Sequence, residues 1–171
     1  MDVVLILLAL LLIFVIVLLA KTVRIVPQAR AGIVERFGKY RISLSAGLNV
    51  VVPFIDKVRY TIDLREQVVS FPPQPVITQD NLVVSIDTVI YFQVTDPVAA
   101  TYEIANYIQA VEQLTMTTLR NIVGGMDLEG TLTSRDEINN RLRGVLDEAT
   151  GKWGLRVSRV ELKAIDPPLS I

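Results

Sequence analysis

The chain has 171 residues, with 17 Lys and Arg against 18 Asp and Glu, a net charge of −1, and neither Cys nor His. Those absences exclude disulfides, thiolate or imidazole metal sites, a cysteine nucleophile and a Ser-His-Asp triad. A hydrolase on this chain would need Ser-Lys or paired-carboxylate chemistry, and a hard-cation site would need clustered oxygens.

Residues 1–20 are apolar except for Asp2, so the high hydropathy comes from one N-terminal segment. About 150 residues remain, enough to bury a real core. Val3 to Ala20 is an apolar run without Gly, Pro or charge, and as a helix it nearly fills a hydrocarbon layer of about 30 Å. A cleaved signal would need a positive n-region, a shorter apolar stretch and small residues before the cut. Here the n-region is Met1-Asp2, and Leu18 stands at position −3 for a cut after Ala20. A buried core helix would usually keep a polar stripe. The expectation is an uncleaved single-span anchor over 1–22.

Lys21, Arg24, Arg30, Arg36, Lys39 and Arg41 follow the span, against Glu35 alone. By the positive-inside rule this places the globular part in the cytoplasm. Residues 21–60 carry a net +6 and residues 61–171 a net −6. The six basic residues are candidates for contact with anionic headgroups; the alternative is scattered solvated charge.

Beyond the anchor, Val23 to Val26 is β-like and stops at Pro27. Gly32 to Arg36 is a second short run ending at Phe37-Gly38. Gly47, Pro53 and Asp56 punctuate the next stretch, and Tyr60 to Arg65 alternates as a strand with one buried face. Phe71-Pro72-Pro73-Gln74-Pro75 cannot continue a central strand, because proline removes ladder donors. Asp80-Asn81 reads as a turn. Leu82 to Thr95 is the clearest strand, with Leu82, Val84, Ile86, Thr88, Ile90, Phe92 and Val94 on the core face. Asp96-Pro97 ends it and opens a short helical stretch.

Two amphipathic helices follow. Asn106 caps the first, whose stripe is Ile108, Val111, Thr115, Leu119 and Ile122, and Gly124-Gly125 stops it. Ser134 to Glu137 fits a capping box for the second. Its stripe is Ile138, Leu142, Val145, Leu146 and Ala149, closed by Gly151 and Gly154 around Trp153. Leu155 to Ile165 is the last strand. Leu155 and Val157 share one parity, and Val160, Leu162 and Ala164 share the other, which predicts a bulge near Ser158-Arg159. Strands first and helices later define an α+β domain, a mainly antiparallel sheet with helices on one face.

Catalytic motifs are weak throughout. Gly124 to Gly130 lacks the Lys-Ser/Thr of a P-loop and does not follow a strand. Asp87-Thr88 is followed by Val89 and has no second carboxylate element, so it reads as strand surface. Arg135, Asp136, Glu137, Arg141, Arg143, Asp147 and Glu148 share a helix. They read as a solvated, ion-paired face, or as a mixed-charge surface for a neighbouring copy. Lys152 and Lys163 lack a serine at a diagnostic spacing. The acidic distal half disfavours nucleic acid. No catalytic residue, cofactor or metal is assigned.

Read together, several segments resemble the SPFH (stomatin/prohibitin/flotillin, band 7) family, most closely prokaryotic stomatins and paraslipins. They are Val26 to Ala29 with Gly32 to Tyr40, Gly47-Leu48 with Pro53 to Val58, and Asp80 to Val84 with Asp87 and Tyr91 to Pro97. Thr117 to Gly124, Ser134 to Asn139, Asp147 to Thr150, Trp153-Gly154 and Val160 to Lys163 complete the order over residues 24–168. Three departures stand out. Ala164 replaces a frequent Asp before Pro-Pro, the anchor lacks the proline of a re-entrant hairpin, and the chain stops at Ile171 where relatives continue into a coiled coil. The resemblance implies an SPFH domain over 23–168, divisible into 23–65 and 66–168, with 169–171 beginning that coiled coil.

It further implies a non-enzymatic membrane scaffold that assembles into large homo-oligomeric rings or cages. Such scaffolds organise lipid microdomains and corral a membrane protease or an NfeD-type membrane protein. A membrane-tethered hydrolase and a monomeric lipid-binding module are the alternatives.

Overall fold

A computed structural model describes residues 2–168 of the chain. It divides into a unit of residues 1–64 and a unit of residues 65–171. The expected start of a coiled coil at 169–171 lies outside the described residues.

In the first unit, helix α1 (Asp2–Thr22) buries none of its residues and is long and apolar enough to cross a membrane. At about 1.5 Å per residue it rises roughly 31 Å. The chain passes directly into β1 (Val23–Val26). Val51 N–H donates to the Thr22 carbonyl at 2.8 Å, so the end of the helix is bonded to the unit that follows. Strand β1 pairs antiparallel with β4 (Gly47–Val50). Strand β2 (Arg30–Arg36) runs between β3 (Lys39–Leu44) and β5 (Asp56–Asp63), antiparallel to both. Val26, Val34, Leu44 and Val51 form the core between them, with Val58 packed against it.

The second unit is a three-stranded antiparallel sheet ordered β6-β7-β8, with β6 (Gln67–Ile77) and β8 (Leu155–Asp166) flanking β7 (Val83–Val94). The alternation expected of β7 is present over Val83–Val94, but Leu82, expected on the core face, precedes the strand and is exposed. Val84, Ile86, Thr88, Ile90, Phe92 and Val94 are buried and the opposite parity is not. Two long helices, α3 (Tyr107–Val123) and α5 (Arg135–Thr150), pack on each other and on β6 and β8. Two short ones, α2 (Pro97–Tyr102) and α4 (Leu128–Thr133), complete the helical layer. Asp96 and Asn106 cap α2 and α3 with their side chains, satisfying N–H groups that helix starts leave open. Thr115 and Thr150 face the core because each hydroxyl bonds back to the carbonyl four residues earlier, at 2.6 and 2.7 Å.

Gly154 turns the chain from α5 into β8. Its φ is +69°, and its carbonyl accepts from the backbone N–H of both Thr95 and Asp96. A Cβ there would lie 2.3 Å from the Asp96 carbonyl oxygen, so only glycine fits.

Several details differ from the sequence reading. Phe71 to Pro75 does not interrupt a strand; β6 runs through it. A bulge between Phe71 and Gln74 takes up one extra residue, and β6 lies at the sheet edge, where a missing donor costs no ladder bond. Ser134 does not close a capping box. The unforeseen helix α4 ends on it, its ψ is 35° rather than extended, and its side chain makes no cap bond. Ile108 and Val145 are 40% and 44% exposed, and Val123 and Thr150 take the inward places on their helices. The bulge expected near Ser158 is present, with Tyr91 opposite Arg159 and Phe92 opposite Val157. A second shift at Lys163 restores the first parity, so Ile165 rather than Ala164 is buried.

The Phe92 ring meets Tyr107 edge-on, with centroids 5.9 Å apart. Phe92→Ala is expected to cost about 3–5 kcal/mol, largely by opening a cavity. Gln93→Ala, on the exposed parity, costs under about 1 kcal/mol. Denaturant titration of the two variants checks the assignment of faces; equal losses would contradict it.

Candidate membrane-proximal site

The end of the first unit beside the helix terminus carries its most unusual chemistry. A two-residue turn joins β2 to β3, pairing Arg36 with Lys39. Both turn residues, Phe37 and Gly38, have positive φ (51° and 78°), as a type I′ hairpin requires. Glycine adopts that backbone freely, but a phenylalanine there is strained by roughly 1–3 kcal/mol. The strained ring is nevertheless 87% exposed. Phe54, in the turn between β4 and β5, repeats the combination with φ 68° and 74% exposure.

Behind these rings lies one carboxylate. Asp56 opens β5 opposite Arg36 and has no exposed side-chain surface. Arg36 donates to both of its oxygens, at 2.8 and 3.2 Å; Arg41 pairs with it from β3, and Val52 N–H donates at 3.0 Å. The Arg36 hydrogen bond, then the Val52 N–H and the charges of Arg36 and Arg41, outweigh the cost of covering the carboxylate. They hold its pKa at about 2, below the ordinary 3.8. The same bond raises the Arg36 guanidinium.

The cluster connects to the helix through the 52–55 turn. Phe54 lies under the Lys21 ammonium, 5.0 Å from nitrogen to ring centroid, and Lys21 is in the last turn of α1. Arg36, Phe37, Lys39, Tyr40 and Arg41 line a notch of about 420 Å³ around the hairpin. Of the six basic residues picked from the sequence, Arg36, Lys39 and Arg41 therefore converge, and Lys21 stands at the neighbouring turn. Arg24 is exposed on β1, and Arg30 opens β2 at its far end opposite Asp63. Phe37 and Phe54 were missed. Their only sequence signal is an aromatic residue at a turn position, Phe37-Gly38 between two β-runs and Pro53-Phe54 before Asp56.

In the second unit Arg135, Asp136, Glu137, Arg141, Arg143 and Glu148 are exposed on α5. Asp147 turns inward instead. Its Oδ1 accepts from Val157 N–H at 3.1 Å, and Asn139 Oδ1 likewise accepts from Leu162 N–H at 3.0 Å. Asp87, read as strand surface, accepts from Ala164 N–H at 2.7 Å beside the second bulge. Thr78 bonds Asp80 at 2.5 Å; this bond first, then the Leu128 N–H, lowers the carboxyl's pKa against desolvation. The Lys152 ammonium lies 5.5 Å from the Trp153 ring centroid, and Ser158 Oγ bonds Glu66 rather than either lysine considered for a Ser-Lys pair.

An apolar helix that could span a membrane, followed by an all-β unit with basic and strained aromatic residues beside the helix end and then by an α+β unit, suggests a membrane-associated class of protein. The chain belongs to the SPFH domain / Band 7 family, whose family model matches residues 24–171. An uncharacterised protein of Mycobacterium tuberculosis is 67% identical over 167 residues, covering 98% of this chain and 44% of that protein. An uncharacterised protein of Methanothermobacter thermautotrophicus is 51% identical over 152 residues, 89% of this chain and 48% of its own length. A stomatin homolog of Pyrococcus horikoshii is 37% identical over 160 residues, 94% of this chain and 60% of that protein. The chain thus spans about half the length of the curated relatives it matches. Family and stomatin relatives together suggest a membrane scaffold, of a kind generally without catalytic activity.

A depressed carboxylate stabilises the folded form above its unfolded pKa and loses that contribution as pH falls through its folded pKa. The Asp56 contribution should therefore be complete above pH 3.8 and disappear by about pH 2. Protection of the β2 and β3 amides against hydrogen exchange, relative to the unstructured rate at each pH, should fall over this window in the native chain. In Asp56→Asn the Asp56-linked part of that pH dependence should be absent. An unchanged profile in the variant would assign the acid sensitivity elsewhere.

Proposed function

We propose that this chain is the anchor and SPFH portion of a scaffold that assembles into large homo-oligomeric rings or cages in the cell membrane. In this reading it organises membrane microdomains and modulates partner membrane proteins, a membrane protease or an NfeD-type protein among them. The observation that supports it best is the direct bonding of the helix end to the first unit, Val51 N–H to Thr22 carbonyl. With no linker between them, that unit must lie at the bilayer surface whenever α1 spans. The scaffold acts by repetition. One span per chain offers no pore, and head-to-tail contacts between different patches close into a ring when the rotation per subunit allows.

The exposed charges of α5, Arg135, Asp136, Glu137, Arg141, Arg143 and Glu148, are the proposed contact with a neighbouring copy. Individual exposed pairs are worth only ~0–1 kcal/mol, but anchoring raises the effective concentration and lets weak contacts add. In this reading the globular part lies on the cytoplasmic side, a topology that the basic residues after the span support.

Light scattering is the direct test of assembly. The full-length protein in native lipid should be a large closed oligomer, and a fragment 24–171 without its anchor should be monomeric or weakly associated. A full-length protein that stays monomeric in lipid would remove the scaffold and leave a lipid-binding module. For sidedness, protease added outside intact cells should leave residues 31–171 untouched; their digestion would reverse the topology.

A further inference from the structure

We infer that the notch around the β2–β3 hairpin is a discrete binding site for the phosphate of an anionic phospholipid headgroup, with Phe37 seated among the lipid's apolar atoms. This rests on the reading that α1 spans a membrane, and adds to it a ligand and a place.

Three features of the notch point to that ligand. The first is charge in excess of what the fold uses. The Arg36 and Arg41 guanidiniums pair with one carboxylate, Asp56, while Lys39 lines the same notch and its side chain has no ion-pair or hydrogen-bond partner among the described residues. Arg36 commits Nε and Nη2 to Asp56, and Arg41 commits Nη1. Each guanidinium carries five N–H donors, so donors remain on both, and the side chains are 36% and 41% exposed. Planar forks with spare donors suit a tetrahedral oxyanion. Because Asp56 fixes both guanidiniums, they are ordered before the ligand arrives.

The second feature is the apolar neighbour. A soluble phosphate has no use for an exposed aromatic ring held in strained backbone beside the cations. A phospholipid does, because its phosphate is joined through glycerol to acyl chains. The third is position. Asp56 bonds Val52, the 52–55 turn carries Phe54, and Phe54 meets Lys21 in the last turn of α1. The notch therefore belongs to the end of the unit that adjoins the helix terminus, where headgroups lie when the helix spans.

The chain reconstituted in nanodiscs of phosphatidylcholine with a minority of phosphatidylglycerol provides the test, by counting lipids that stay bound after mild detergent release. Phosphatidylglycerol should be enriched over phosphatidylcholine. Lys39→Gln, which leaves the Asp56 pairs intact, should weaken that enrichment about fivefold, the effect of one well-placed cation at an anionic surface. Arg24→Gln removes the same charge outside the notch and should change it less than twofold. Phe37→Ala should weaken lipid retention without restoring any preference for phosphatidylcholine.

Inorganic phosphate and glycerol phosphate, added separately, should compete poorly. Displacement of the lipid by either at comparable concentration would mean a soluble ligand and overturn the assignment. Equal losses in Lys39→Gln and Arg24→Gln would reduce the effect to general attraction and overturn it too, as would absence of enrichment. A chain retained in the discs without enrichment defeats only this inference; a chain that leaves the discs defeats the membrane reading as well.

Discussion

Asp56 is where the first unit is tied together at the end that meets the helix. Its carboxylate receives Arg36 from β2, Arg41 from β3 and the Val52 N–H from the turn before its own strand, while the Asp56 N–H returns to the Val52 carbonyl at 3.0 Å. Isolated surface ion pairs contribute little, because water competes and long side chains lose entropy. This one is different in kind: the carboxylate is fully covered and several donors converge on it. Neutralising it would leave the Arg36 and Arg41 guanidiniums without their common anion. It would also release the turn that holds Phe54 against Lys21. The conformation of both aromatic turns therefore depends on a single side chain.

The second unit solves a different problem, the outer edge of β8. A 12-residue edge strand would present unpaired backbone groups to any passing strand. Helix α5 supplies acceptors from its own side chains, Asp147 to Val157 N–H and Asn139 to Leu162 N–H. The two bulges fall near these positions, at Ser158 and Lys163, and break the regular edge further. Strand-to-strand addition along β8 is thereby suppressed, and under the proposed scaffold reading the exposed charges of α5 remain available for side-to-side contact. The same bonding also removes Asp147 from that contact set, since its carboxylate already has an intramolecular task.

Periodicity made the core legible. The period-two face of β7 and the stripes of α3 and α5 could be read because burial selects side chains at fixed intervals, and the Ser158 bulge was visible as a change of parity between Val157 and Val160. What failed to show depended on neighbours that a linear pattern does not contain. Nothing local distinguishes Phe71 to Pro75 as the interruption of a central strand from the same residues on a bulged edge. Asp147 looks like any exposed helical acid until β8 is placed beside it. Arg36, Arg41 and Asp56 are up to twenty positions apart and converge only through the β3-β2-β5 pairing. Phe37 and Phe54 were passed over because turn residues are read for backbone freedom, and an aromatic side chain at such a place has no bearing on that.

Phe37 and Phe54 are the two aromatic residues held in left-handed backbone among the described residues. Each occupies left-handed backbone at a cost of roughly 1–3 kcal/mol, and in water little of it is regained, since both rings are largely exposed and only Phe54 has a cation above it. Burying a phenylalanine side chain in an apolar medium returns about 1.5–3 kcal/mol, enough to offset the strain of one turn. Under the proposed membrane reading the arrangement balances: α1 brings the rings to the interface, Asp56 fixes the turns that present them, and the surrounding Arg and Lys side chains meet headgroups while the rings enter the layer below. Without a membrane, the same chain would hold two strained, largely solvated aromatics, with only the Lys21 ammonium over Phe54 to offset the strain. Under the proposed reading the bilayer supplies the other half of this surface, and the turns at Phe37 and Phe54 hold the two rings out towards it.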